Sequence, residues 1–367
     1  MRRFVSLAAA FSGAAACLLL APCALGADPP APKPVGGDYV IPNFRFASGE
    51  ALPELRLHYT TIGKARRDEH GRVTNAVLIL HGTGGSGHSF IVDRFSGVLF
   101  NKGQPLDANR YYLILPDGIG HGDSSKPSDG LHMRFPRYTY ADMVSAQYAL
   151  LTQELHVDHL RLVLGTSMGC MHTWLWLESY PGLMDAAMPL ACLPVPIAGR
   201  NRLWRDLVMD SIRTDPQWLQ GEYRSEPMGA LRAAAGFLLI AGSAPIQMQI
   251  ALPTRDTADE FLKVYMDRKI ADLDANDLLY EVNASRDYDP SGALDKISAP
   301  VMWINSADDF VNPPELGIAE REVKKIKGAR FVLLPASEQT HGHGTAGWPE
   351  AWYRYLNELL AASEPKG

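Results

Sequence analysis

The chain carries no surplus of positive charge: 35 Lys and Arg stand against 41 Asp and Glu, a formal net charge of −6 over 367 residues. Without a basic excess nothing neutralises a phosphodiester backbone, so no nucleic-acid partner is expected. Cysteine is scarce, four in all and without a CxxC pair, which excludes a disulfide-built scaffold. No internal repeat stands out, and the only apolar run long enough to suggest a membrane span lies at the N-terminus. A hydrophobic content of 46% with 32 Gly and 26 Pro excludes disorder, collagen and coiled coil.

The N-terminus reads as an export address. Arg2 and Arg3 precede an Ala- and Leu-rich stretch over 4–22, and Ala24-Leu25-Gly26 offers small residues where a signal peptidase cuts. A transmembrane anchor fits less well, because Ser6, Ser12, Gly13 and Pro22 dilute the run. A lipoprotein anchor at Cys17 or Cys23 also fits poorly, since Pro22 directly precedes Cys23. The expectation is a signal peptide over 1–26, a flexible Pro-rich linker over 27–38, and a periplasmic or secreted mature protein with no stable membrane insertion. Cys170 and Cys192 then remain, with a disulfide between them left open. Export also places the protein where CoA thioesters are scarce.

The rest has the rhythm of an α/β protein. Alternation over 44–62 predicts an antiparallel pair at a sheet edge. Short apolar runs at 76–80, 111–115, 160–164, 187–192, 301–304 and 331–334 end mostly at Gly or Asp, with helix-length segments between them. That pattern predicts a mostly parallel sheet covered by helices on both faces. Residues 196–290 break the rhythm, with helical patterns at 203–212, 231–240 and 258–267 and no buried strand. They predict a helical cap inserted between core segments 39–195 and 291–367, a second independent domain being the alternative.

Gly165-Thr166-Ser167-Met168-Gly169 fits G-x-S-x-G between an apolar strand and a helical segment. In that setting the strand turns sharply into the helix and exposes the serine, and the helix N-terminus favours developing negative charge. Ser167 is therefore the candidate nucleophile. A serine needs a base, and the base needs an acid to orient it. Asp308 and Asp309 follow one later strand, and His341 and His343 the next, in the chain order Ser, acid, His. Asp309 is favoured because Phe310-Val311-Asn312-Pro313 leads away from it, and His343 because glycines flank it. Ala76–Leu80 ends in His81-Gly82-Thr83-Gly84-Gly85, where an oxyanion hole takes its second donor, so Thr83 and Met168 are the expected N–H donors. His341-x-His343 with Asp308 resembles a chelate, but no further ligand cluster accompanies it, so no metal is expected. His58, His70, His156 and His159 have no motif around them.

Together these blocks resemble the homoserine O-acetyltransferase branch of the α/β-hydrolase superfamily. The similarity runs through 81–88, 106–112, the Phe135-Pro136 to Asp142-Met143-Val144 segment, 165–171 with Tyr180-Pro181, Asp215-Pro216-Gln217-Trp218, 309–314 and Gly342-His343. It implies an α/β-hydrolase fold, an acyl-enzyme on Ser167 and a homodimer paired through the cap. Two departures bear on activity. Where the family has a cap arginine for the substrate carboxylate this chain has Met209, and where it has an aspartate after the base this chain has Gly344. Neither can pair a charge, which argues against an amino-acid substrate. The loop 117–125 looks like a general esterase loop of the superfamily instead.

The expected function is an exported serine hydrolase of short-chain carboxylic esters that needs no metal or organic cofactor. An O-acyltransferase using the same acyl-enzyme is the alternative, and a non-catalytic binding protein on a hydrolase fold comes third. Trp174, Trp204 and Met209, with Trp176, are candidate pocket residues, core packing being the plainer role for a tryptophan.

Overall fold

The computed structural model describes residues 32–364, so the expected signal peptide and residues 27–31 of the expected linker lie outside the described residues. The rest of that linker is not loose chain: Val35 already opens the first strand.

One sheet of eight strands organises the molecule. They are β1 (Val35–Arg45), β2 (Ala51–Ile62), β3 (Ala76–Leu80), β4 (Tyr112–Pro116), β5 (Leu162–Thr166), β6 (Ala187–Leu190), β7 (Val301–Ser306) and β8 (Ala329–Leu334), in the order β1-β2-β4-β3-β5-β6-β7-β8. The pair expected at 44–62 forms as the antiparallel β1–β2 hairpin. β2 pairs antiparallel with β4, and every later pairing is parallel.

The wholly apolar runs have a direct cause. Side chains alternate across a sheet, so a strand covered on both faces must be apolar at every position. In β3, Leu78 and Leu80 enter one core while Val77 and Ile79 enter the other. In β5, Val163 faces the first core and Leu162 and Leu164 the second.

Helices α1 (Asp93–Leu99), α2 (Tyr140–Ala149) and α3 (Met168–Ser179) lie between the strands of the first core segment. The cap is wholly helical: α4 (Gly199–Arg213), α5 (Met228–Gly242), α6 (Pro245–Ala251), α7 (Arg255–Ala271) and α8 (Ala275–Asn283), with no strand between β6 and β7. The expected cap helices correspond to α4, α5 and α7, while α6 and α8 escaped the sequence reading. Helices α9 (Ile318–Glu322) and α10 (Tyr353–Ala362) complete the described chain. No single described helix is long and apolar enough to cross a membrane; α5 and α6 reach the length and composition only together, bent by 107°.

A disulfide joins Cys170 in α3 to Cys192 just beyond β6, with Cα atoms 5.8 Å apart. It ties the helix behind Ser167 to the strand neighbouring β5.

Candidate active site

The carboxyl ends of β3, β5, β7 and β8 gather the candidate residues, at the edge where open α/β sheets bind ligands. β3 and β5 are parallel neighbours with Leu80 opposite Gly165, so the loop after β3 and the turn after β5 leave the sheet side by side.

Ser167 occupies that turn with φ 54° and ψ −109°, a conformation few non-glycine residues adopt without support. Its amide donates to Leu190 O at 2.9 Å. Flanking glycines are required by contact distance: a Cβ at Gly165 would sit 1.9 Å from Gly169 O, and one at Gly169 would sit 2.0 Å from Leu80 O. Strand and helix thus approach more closely than any side chain allows.

The structure brings Ser167, His343 and Asp309 into one bonded chain. Ser167 Oγ lies 2.7 Å from His343 Nε2, and His343 Nδ1 lies 3.1 and 3.0 Å from the two Asp309 oxygens. An ionised carboxylate only accepts, so Nδ1 carries the ring proton and Nε2 receives the serine hydroxyl. Asp309 is itself fixed: it accepts from the Val311 amide at 2.7 Å, the Asn312 amide at 3.2 Å and Asn312 Nδ2 at 3.0 Å. Burial alone would raise its pKa, but His343 and these bonds outweigh burial and hold the carboxyl below its usual range.

Asp308 and His341 are placed elsewhere. Asp308 accepts from Ser306 and from Thr340 Oγ1, and His341 stacks on Trp348 with ring centroids 4.1 Å apart. The cap presses on the base loop. Gly342 has φ 58°, and a Cβ there would meet Ser243 O, at the bend between α5 and α6, at 2.7 Å.

Met168 and the loop that carries Thr83, the expected sources of the oxyanion N–H donors, both adjoin Ser167. Met168 opens α3 immediately after Ser167. The Gly82-Thr83 segment is so close that a Cβ on Gly82 would stand 3.2 Å from Ser167 Cβ and 3.7 Å from its Oγ. His81 holds this loop, its Nδ1 2.8 Å from Gly82 O and its Nε2 accepting the Gly118 amide at 2.9 Å. The proton therefore sits on Nδ1, and burial keeps the ring neutral with a pKa lowered to about 4.

A cavity of about 1020 Å³ lies beside the acid loop, bordered by Met171, Leu193, Ile197, Ile240, Met248 and Val311 among others. Three of the charged residues that border it are engaged: Asp309 by His343, Asp308 by Thr340, and Arg200, whose guanidinium lies 3.8 Å over the Phe310 ring and donates to Phe310 O; Glu315 also borders it. A second cavity of about 820 Å³, near Arg66, Arg110 and Arg161, opens by the starts of β3, β4 and β5, away from Ser167.

Three expected pocket residues are corrected. Trp174 is fully buried, edge-on to Trp303 at 5.4 Å. Trp204 is buried with Arg205 4.6 Å over its ring, and Met209 is buried in the same core. None borders the cavity; all three are packed in the larger hydrophobic core. Trp176 is likewise buried, donating to Gln147 Oε1 at 3.0 Å. The buried cation of α4 is Arg205, one turn before Met209, spent on Asn201 Oδ1 at 3.0 Å and Ser285 Oγ at 3.2 Å.

Sequence reasoning missed Asn312 as a partner of Asp309, having read it only as part of the exit turn. It also missed Glu281, buried on α8 against the loop after β3. The Asp274 cap before Leu278, Leu279 and Val282 was the available clue to that helix. Among the described residues His58, Asp117 and Asp123 offer ligand atoms within 4.8 Å of one another. Both Asp117 oxygens already accept amides there, from Gly87 and Asp123.

Residues 75–338 match the alpha/beta hydrolase fold family. A homoserine O-acetyltransferase of Pelobacter propionicus is 30% identical over 366 aligned residues, covering 88% of this chain and 95% of the relative. Among solved structures, an acetylester hydrolase from Corynebacterium glutamicum superimposes with a TM-score of 0.78 at 21% identity, over 89% of this chain and 96% of its own. A homoserine O-acetyltransferase from Bacillus anthracis gives 0.77 at 22% identity, over 89% and 97%.

Proposed function

Given that the chain belongs to the α/β-hydrolase fold family, in the branch of the homoserine O-acetyltransferases, we propose that it is an exported serine hydrolase cleaving carboxylic esters, short-chain acyl esters in particular. The observation that carries this reading is the continuous bonded chain from Ser167 Oγ through His343 to Asp309.

Ser167 Oγ attacks the acyl carbonyl as its proton passes to His343 Nε2. The carbonyl oxygen, now negative, receives the N–H groups of Met168 and Thr83; one such donor is typically worth about 3 kcal/mol in the transition state. The carbon–oxygen bond to the alcohol then breaks, and His343 Nε2 returns the proton to the departing alkoxide. Water repeats the sequence on the acyl-enzyme, giving its proton to His343 and releasing the carboxylic acid and free Ser167. Asp309 stays ionised throughout and stabilises the imidazolium.

A second reading, O-acyl transfer to a bound alcohol, is favoured by the 30% identity to a homoserine O-acetyltransferase. Hydrolysis is preferred because the chain carries Met209 and Gly344 where that family keeps charge partners: Met209 is buried, and Gly344 faces the Gly242 carbonyl. Export is supported by the Cys170–Cys192 disulfide, a bond that persists in oxidising compartments.

The test has two arms. A fluorophosphonate probe should label Ser167 in folded protein, and absence of labelling returns the chain to the binding-protein reading. Product analysis should then show water-dependent release of acetate from p-nitrophenyl acetate. Rapid CoA-dependent formation of acetyl-homoserine from acetyl-CoA and homoserine would select the transferase.

A further inference from the structure

Against the loop after β3 lies a buried group of ionisable side chains that the proposed reaction does not use. His121 Nδ1 lies 2.9 Å from Ile119 O, so it carries the proton, and Nε2 faces inward with its lone pair. That Nε2 is buried without a hydrogen-bond partner and lies 3.8 Å from Glu281 Oε1. The other oxygen, Oε2, points at the loop: a Cβ on Gly84 would stand 3.8 Å from it, and the Gly84 amide faces this carboxyl. The His121 and His81 rings lie 5.0 Å apart, and His81 holds the same loop through Gly82 O. Glu281 comes from the cap, whereas His81 and His121 come from the core.

We infer that Glu281 is a positioning residue for the oxyanion loop: from α8 of the cap it braces the Gly84 amide and the His121 ring, and so aims the Thr83 N–H at the carbonyl under attack. The inference rests on the serine-hydrolase reading above and adds a cap residue to the machinery.

The brace works as a neutral acid. Burial raises the Glu281 carboxyl to about 8 and lowers His121 to about 4, so near neutrality the proton stays on the carboxyl, facing the His121 lone pair. Other groups around it are Lys269 on α7, Lys126 on the loop after β4, Asp274 capping α8 and Asp277 on it, Tyr138 before α2, and Asp117 beside His121. Above its pKa Glu281 becomes an anion behind the very loop that must receive an oxyanion, which opposes the transition state.

Glu281→Gln and Glu281→Ala, assayed on p-nitrophenyl acetate from pH 6 to 9.5 with the uncatalysed rate subtracted, test this. Wild-type kcat is expected to fall as pH rises through about 8. Glu281→Gln keeps a neutral acceptor, so it should hold kcat within about five-fold at pH 7 and lose the alkaline limb. Glu281→Ala should lower kcat about 30- to 100-fold, less than the roughly 100- to 1,000-fold typical of a donor removed outright because the Thr83 amide is misaimed rather than lost, with KM changed less than about three-fold. A folded Glu281→Ala enzyme with wild-type kcat overturns the proposal. So does a Glu281→Gln enzyme that keeps the wild-type alkaline limb, which decides the matter should the alanine variant not fold. Fluorophosphonate labelling of the wild type separates the two readings: an unlabelled Ser167 defeats the hydrolase assignment, whereas a labelled enzyme indifferent to position 281 defeats only the brace.

Discussion

Replacing Ser167 with alanine removes the atom that forms the acyl-enzyme while leaving His343 and Asp309 in place, and kcat on p-nitrophenyl acetate is expected to drop by about 10⁵- to 10⁶-fold. Asp309→Asn is a milder and more informative change. The amide keeps the shape but no longer secures the Nδ1–H tautomer that presents Nε2 to the serine, so a loss near 10⁴-fold is expected with KM little altered. Steady-state kinetics on purified variants checks both, and an Asp309→Asn enzyme within ten-fold of wild type would remove Asp309 from the role. At this scale the sequence was informative where chemistry restricts the choice of residue. Ser167, Asp309 and His343 stand at ends of apolar strands in a recognisable order, and the structure brings them together. It was least informative for Trp174, Trp204 and Met209, because a large apolar side chain in a helix reads alike whether it faces a ligand or the core. Here all three are buried in the core.

Elements were legible in proportion to how completely they are buried. β3, β5 and β7 are buried along their whole length, so their apolar runs stood out. In the cap, α6 went unread because it is short and has no buried residue, and a helix with no core face leaves a weak periodic trace; α7, with only Met266 and Ile270 buried, was legible over part of its greater length. α8 went unread for the opposite reason, since its buried face includes polar Asn276, Asp277 and Glu281. The elbow gives the sharpest prediction at this scale. Gly165→Ala would force a methyl to within 1.9 Å of Gly169 O, and no flexible side chain is available to yield. The strand–helix junction must therefore open, with a destabilisation expected above about 3 kcal/mol, at the severe end for a single substitution, together with loss of activity. Urea unfolding measures it. Gly97→Ala, where an added Cβ meets nothing within 4 Å, is the control and should shift the midpoint little.

Across the whole molecule, buried ionisable groups of opposite habit set the response of stability to pH. The buried histidines His81 and His121, lowered to about 4, and His172, also held well below its ordinary value by burial, bind fewer protons folded than unfolded. Their contribution is present above the unfolded value of 6.5 and is lost as pH falls towards 4. Asp309, also lowered, adds stability that is lost in acid. The acids around the cap act in the reverse sense. Glu281 is raised to about 8, and Asp277 and Glu226 to about 7, chiefly by burial. Each holds its proton in the folded state after the unfolded chain has released it, so its contribution is fully present below its unfolded pKa and is lost progressively up to the folded one. Between about pH 4.5 and 6.5 the two sets oppose each other. Above 6.5 the histidines are neutral in both states and only the acids remain, so stability should decline from pH 6.5 to 8. Urea midpoints measured across that interval check the sign. Glu281→Gln carries no ionisable proton and should flatten the decline, ending more stable than wild type at pH 8. A wild-type midpoint that rises over the same interval would mean that Glu281 is ionised within the fold, with its charge compensated by Lys126, Lys269 or a protonated His121.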